Sequence, residues 1–135
     1  MTSPNLFTER LPQYLLAAIQ QHAGGAAWPI ALIPAVIEAS RAAGLVSLGG
    51  DLQVQGPQGL WESPNVGVAV FPNELSAMEG PPANAAAAIA LKKFVNLGGE
   101  GALIEEVMAG VPGAVDWPRD QLLQRLFFSW SVASA

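Results

Sequence analysis

The sequence predicts an α+β domain, with a small antiparallel sheet of about three strands within residues 48–71 and about five helices packed on it. Three observations carry that expectation. Residues 51–55 (DLQVQ) alternate polar and apolar, which sets Leu52 and Val54 on one face of a strand. Gly56-Pro57-Gln58-Gly59 has turn chemistry: Pro57 presets φ, and Gly59 can take the positive φ that closes a hairpin. Outside this stretch the apolar residues recur at helical spacing, separated by Gly and Pro.

In chain order, Pro12 opens a first helix, where its missing N–H costs nothing. Leu11, Tyr14, Leu15, Ala18 and Ile19 form its apolar stripe, and Gly24-Gly25 is the expected stop. Trp28-Pro29 begins a second helical segment that Pro34 kinks or restarts. There Ile33, Val36, Ile37 and Ala43 face inward, Glu38 and Arg41 pair, and Gly44 ends the segment. Residues 45–48 read equally as a connector or as a short strand into Gly49-Gly50. Leu60-Trp61-Glu62 is expected to be a short returning strand, and residues 66–71 (VGVAVF) a third strand apolar enough for burial on both faces.

Residues 72–79 suit one or two helical turns, and Gly80-Pro81-Pro82 breaks the chain. Residues 83–97 are strongly helical. Ala85 to Ala88 give high propensity and allow close approach, while Ile89, Leu91, Phe94 and Val95 supply bulk. A short helix is expected over 101–109, with Leu103, Ile104 and Val107 inside and Glu105 and Glu106 outside. Asp116 caps a last helix whose stripe is Leu122, Leu123, Leu126, Phe127 and Trp130.

The chain of 135 residues is read as one domain, residues 1–135, long enough to bury a core unaided. It is 51% hydrophobic and 13% charged, which argues against disorder. Having no cysteine, it cannot form disulfides, thiolate metal sites or a cysteine nucleophile. The charge-free run 11–37 is broken by Pro12, Gly24, Gly25, Pro29 and Pro34, so a membrane span is not expected. MTSPNLFTER lacks the basic-then-apolar order of a secretory signal, and a cytoplasmic location is expected.

The net charge is −5, and its distribution is uneven. Residues 42–91 hold Asp51, Glu62, Glu74 and Glu79 with neither Lys nor Arg, whereas acids and bases nearly cancel elsewhere. That is the wrong sign for direct nucleic-acid binding. One meaning is a solvated face; the other is a surface for a basic partner, whose approach it would steer. Trp61 belongs to the same question. If Leu60 faces inward, alternation turns Trp61 outward as a partner-facing anchor; the opposite register buries Trp61 and exposes Glu62.

Catalytic chemistry is not supported. His22, the single histidine, follows two glutamines at an expected helix end and suits the helix dipole better than a base's role. Glu105 and Glu106 are adjacent on a helix, about 100° apart, and do not converge on one ion. Gly98-Gly99-Glu100-Gly101 follows a helix and lacks the Lys-Ser/Thr of a phosphate loop. Neither a nucleophile elbow nor an S-x-x-K pair occurs. No enzyme, cofactor or metal is expected.

The run SLGGDLQVQGPQGLWE, in its GGDLQ and G-LWE pieces, resembles small bacterial immunity proteins that neutralise toxins of contact-dependent and polymorphic systems. The resemblance implies a single-domain cytoplasmic inhibitor without catalysis, whose acidic face meets a basic toxin domain. No binding residue is carried over from the resemblance. Charge and exposure nominate Asp51, Trp61, Glu62, Glu74 and Glu79 as the partner-binding set. Two alternatives stand beside this one: a small-ligand protein or weak enzyme with an apolar pocket between sheet and helices, and a homo-oligomer packed through helix 83–97.

Overall fold

The computed structural model describes residues 10–22, 25–56 and 59–134. It is α+β, and the sheet is larger than the sequence suggested. Its order is β1 (Gln20–His22), β2 (Gly25–Pro29), β5 (Leu126–Ser129), β3 (Leu45–Gly56) and β4 (Gly59–Ala69), all antiparallel. A further strand, β6 (Ser131–Ser134), continues past β5 along β3. The six α-helices among the described residues are α1 (Gln13–Ala18), α2 (Ile33–Ala42), α3 (Pro72–Ser76), α4 (Pro82–Val95), α5 (Gly99–Gly110) and α6 (Arg119–Gln124). Short 3₁₀ turns at Ile30–Leu32 and Ala114–Asp116 complete the set.

The C-terminal third corrects the expected long last helix. Only α6 is helical, and the chain then becomes β5 and β6. Leu126, Phe128 and Trp130 are buried while Phe127 and Ser129 are half-buried, the alternation of a strand. Both periods fit residues 122–130, and the aromatic run favours the pleated surface between β2 and β3. The chain crosses from β5 to β6 at Trp130, whose N–H donates to the Ala26 carbonyl at 3.1 Å.

At the other end the first helix stops at Ala18, with Ile19 extended, and a hairpin follows where helix was expected. His22 therefore lies in β1, not at a helix terminus. Tyr14, expected inside, is 58% exposed, because α1 is short and settles on Leu11 and Leu15. The Trp28 indole N–H donates to the Leu15 carbonyl at 2.8 Å, tying α1 to β2.

Strand β3 is the centre of the sheet, and residues 45–48 are its first part rather than a connector. Its two glycines are required by close approach. A Cβ on Gly50 would fall 1.6 Å from the Ser129 carbonyl oxygen, and one on Gly49 would fall 1.9 Å from that of Val68. Helices α2 and α4 cover one face of β3. On that face Leu52, Val54, Leu126, Phe128 and Trp28 are buried, each contributing about 1.5–3 kcal/mol by leaving water. Phe94 of α4 meets Phe128 edge-on, ring centroids 5.3 Å apart.

Helix α4 follows the expected division of labour in its alanines and in Ile89 and Phe94, which pack on the core, and departs from it at Leu91 and Val95. Ala83, Ala85, Ala86, Ala87 and Ala90 are buried, while Leu91 and Val95 are exposed, Val95 at 64%. The small residues let the α4 backbone lie close to α2 and β3, so this alanine stripe is occupied within the chain.

Candidate functional site

The hairpin β3–β4 carries the acidic residues of interest. Gly56 pairs with Gly59, whose φ of +119° fits the expected turn; Pro57 and Gln58 lie outside the described residues. The two expected strands after the turn form one strand, β4, interrupted by a bulge. Glu62 pairs with Gln53 and Gly67 with Asp51, so five residues of β4 advance where β3 advances two. Ser63 builds the bulge: its buried hydroxyl accepts the N–H groups of Asn65 at 3.2 Å and Val66 at 3.1 Å. Pro64 cannot donate to a ladder, which suits a bulge on an edge strand. Burial on both faces, expected for residues 66–71, is not found. Val68 and Val70 are buried, whereas Gly67, Ala69 and Phe71 are exposed.

The register resolves the orientation of Trp61. It lies opposite Val54 on the core-facing side, half-buried against the end of α5, where a Cβ on Gly110 would come within 2.6 Å of its ring. Glu62 lies opposite Gln53 on the outer side and is exposed. Trp61 and Glu62 thus occupy different faces of the sheet. Trp61 instead lines a groove of about 280 Å³ with Leu60, Val111, Pro112 and Trp117. The Arg125 guanidinium rests over Trp117 at 5.0 Å and donates to the Gln55 carbonyl at 2.9 Å.

On the outer face Asp51 and Glu62 come together. Partial burial, a hydrogen bond with the Asp51 side chain and the Asp51 charge, in that order, raise the Glu62 carboxyl above the usual glutamate range. No salt bridge joins either acid to a Lys or Arg among the described residues. Asp51 is anchored by its N–H to the Ser129 hydroxyl at 2.9 Å. Its Oδ1 lies over Gly67, where a Cβ would come within 2.5 Å. Between the two acids in the ladder, Gln53 is 2% exposed and its Oε1 meets no donor.

Glu74 and Glu79 are placed differently. Glu74 begins α3, accepts the Phe71 N–H at 3.0 Å and binds the Lys93 ammonium at 2.7 Å. Lys93 also donates to the Ala69 carbonyl at 2.7 Å and sits 5.1 Å from the Phe71 ring. The Lys93 hydrogen bond, followed by the Phe71 N–H, holds the Glu74 carboxyl below the usual range. Its charge is compensated inside the fold. Glu79 is exposed beyond α3. Of the five nominated residues, the hairpin brings only Asp51 and Glu62 together as an uncompensated pair.

Sequence reasoning missed two contributors. Gln53, on the face opposite Leu52 and Val54, is almost wholly buried. Glu106 of α5 accepts the Ser63 hydroxyl at 3.3 Å and so adds a carboxylate beside the bulge. The Ser63-Pro64-Asn65 triplet is turn chemistry within a strand, and it was the available signal. Among the described residues no group of three or more Asp, Glu or His gathers to hold a metal, and no helix is long and apolar enough to cross a membrane. No known protein family matches the chain, and neither a curated protein nor a solved structure does.

Proposed function

We propose that the chain is a non-catalytic binding protein whose outer hairpin face, through Asp51 and Glu62, engages a cationic protein surface. One observation carries this: two neighbouring carboxylates stand without a counter-cation, whereas Glu38 and Glu74 each have one. Holding like charges together costs folding free energy unless a partner's positive charge relieves it. Glu79 adds exposed charge of the same sign. The resemblance of the GGDLQ and G-LWE segments to bacterial immunity proteins makes a basic toxin domain the partner class we favour, met in the cytoplasm. Trp61 leaves the contact set, because it faces the groove on the other side of the sheet.

The test is affinity capture from the native host with the wild-type chain and with Asp51→Asn/Glu62→Gln. A basic protein should be held by the wild type, released in about 0.5 M salt, and lost to the double variant. Equal capture by both proteins would remove the proposal.

A second function is favoured by a specific feature. Two of the four tryptophans, Trp61 and Trp117, line the groove at the sheet's end, a geometry suited to a small apolar ligand. A ligand-induced rise in Tm that is abolished by Trp117→Ala would support it.

A further inference from the structure

The four tryptophans divide into two pairs by what their indole N–H groups do. Trp28 donates to the Leu15 carbonyl at 2.8 Å and Trp130 to the Ser47 hydroxyl at 3.2 Å, and both rings are buried. Trp61 and Trp117 are half-buried and line the groove at the end of the sheet. Among the described residues their N–H groups have no protein acceptor. Both walls are held in place. Trp61 packs on Gly110, where a Cβ would come within 2.6 Å of its ring. Trp117 lies beside Gly56, where a Cβ would come within 3.6 Å of its ring, and has the Arg125 guanidinium over it at 5.0 Å. Leu60, Val111 and Pro112 complete an apolar lining, so the only side-chain polar groups in the groove are donors.

Arg125 adds the charge. Its backbone carbonyl accepts the Gln55 N–H at 3.0 Å while its guanidinium donates to the Gln55 carbonyl at 2.9 Å, so the side chain is clamped to β3. Gln55 precedes Gly56 and pairs with Leu60, and both of these line the groove, which puts the guanidinium at its rim. No carboxylate pairs with Arg125 among the described residues, and the bond to Gln55 leaves most of its N–H groups unused. A guanidinium over an indole face keeps its edge for a carboxylate, which it can hold by two parallel bonds. From these features, and resting on the small-ligand reading of the groove, we infer that it binds a small aromatic carboxylate. The ring lies against the indoles of Trp61 and Trp117, and the carboxylate accepts from Arg125. A volume of about 280 Å³ is at the small end for ligand sites and limits the ligand to one compact ring system. A cationic ligand would meet Arg125 as a like charge, and a neutral ring would leave the guanidinium unpaired.

The probes are naphthoate, its neutral amide naphthamide and the cationic naphthylmethylammonium, each titrated into the full chain at neutral pH by calorimetry, with Tm as a second readout. Naphthoate should bind about tenfold more tightly than naphthamide, and naphthylmethylammonium most weakly. Arg125→Gln should bring the naphthoate-to-naphthamide affinity ratio to about one while naphthamide still binds, a change that general loosening of the fold does not produce. Trp117→Ala should abolish binding of both. Should Arg125→Gln fail to fold, salt added to the wild type decides: between about 0.05 and 0.5 M NaCl the affinity for naphthoate should fall and that for naphthamide should not. Three results overturn the carboxylate and leave the small-ligand reading standing: equal binding of naphthoate and naphthamide, a preference for the cation, or a naphthoate preference that survives Arg125→Gln or high salt. Binding of none of the three probes, or undiminished binding by Trp117→Ala, overturns both.

Discussion

Asp51 and Glu62 share the outer face of the β3–β4 hairpin, Glu62 directly opposite the buried Gln53 and Asp51 two residues further along β3. The bulge at Ser63-Pro64-Asn65 creates this relationship. Without it, simple alternation from the Gln53–Glu62 pair would set Pro64 opposite Asp51.

The first prediction concerns pH. Because the native Glu62 carboxyl holds its proton more tightly than the unfolded one, stability is full below the ordinary glutamate value of 4.5 and falls as pH rises through the native value. Glu62→Gln should therefore be more stable than wild type at pH 7, by on the order of a few tenths of a kcal/mol for so exposed a group. The two should converge in acid. Denaturant unfolding across pH 4–8, sampled in about one-unit steps, checks it.

Glu74 predicts the opposite sign. Its carboxyl is held low by Lys93 and the Phe71 N–H, so its contribution is present above the ordinary value of 4.5 and lost as pH falls through the native value. Glu74→Gln should lower Tm at pH 7, with the gap to wild type closing in acid. Thermal scans at the two pH extremes suffice.

Gly50 is a stringent position. A Cβ there would meet the Ser129 backbone, which is itself paired to β2 and cannot withdraw alone. Gly50→Ala should cost more than about 4 kcal/mol and leave little soluble folded protein, as judged by circular dichroism.

Gln53 predicts a mutation that does no harm. Its buried Oε1 has no donor, so an apolar chain of similar length removes an unsatisfied acceptor. Gln53→Met should hold or raise stability, by up to about 1 kcal/mol. A loss beyond about 2 kcal/mol would mean that the amide makes a contact worth keeping.

The hairpin was legible because its two signals agree: alternation over Asp51–Gln55 and a Gly-Pro turn both demand β-structure. The flanking strands were not. Leu122, Leu123, Leu126, Phe127 and Trp130 satisfy a helical stripe while Leu126, Phe128 and Trp130 satisfy a strand, and only the neighbouring β2 and β3 decide between them. Gly24-Gly25 likewise serves a helix stop or a hairpin equally well. At the site, the sequence pointed to acidic charge, but the register that joins Asp51 to Glu62 depends on a bulge built by the Ser63 hydroxyl. Glu74 looked equally available until α4 brought Lys93 beside it.

The proposed function is tested most directly by association kinetics between the captured partner and four chains: wild type, Asp51→Asn, Glu62→Gln and the double variant. An acidic docking face predicts that the wild-type association rate falls steeply between about 0.05 and 0.5 M salt, and that the double variant is slow and nearly salt-independent. A double variant that binds at the wild-type rate with the wild-type salt dependence would contradict the proposal.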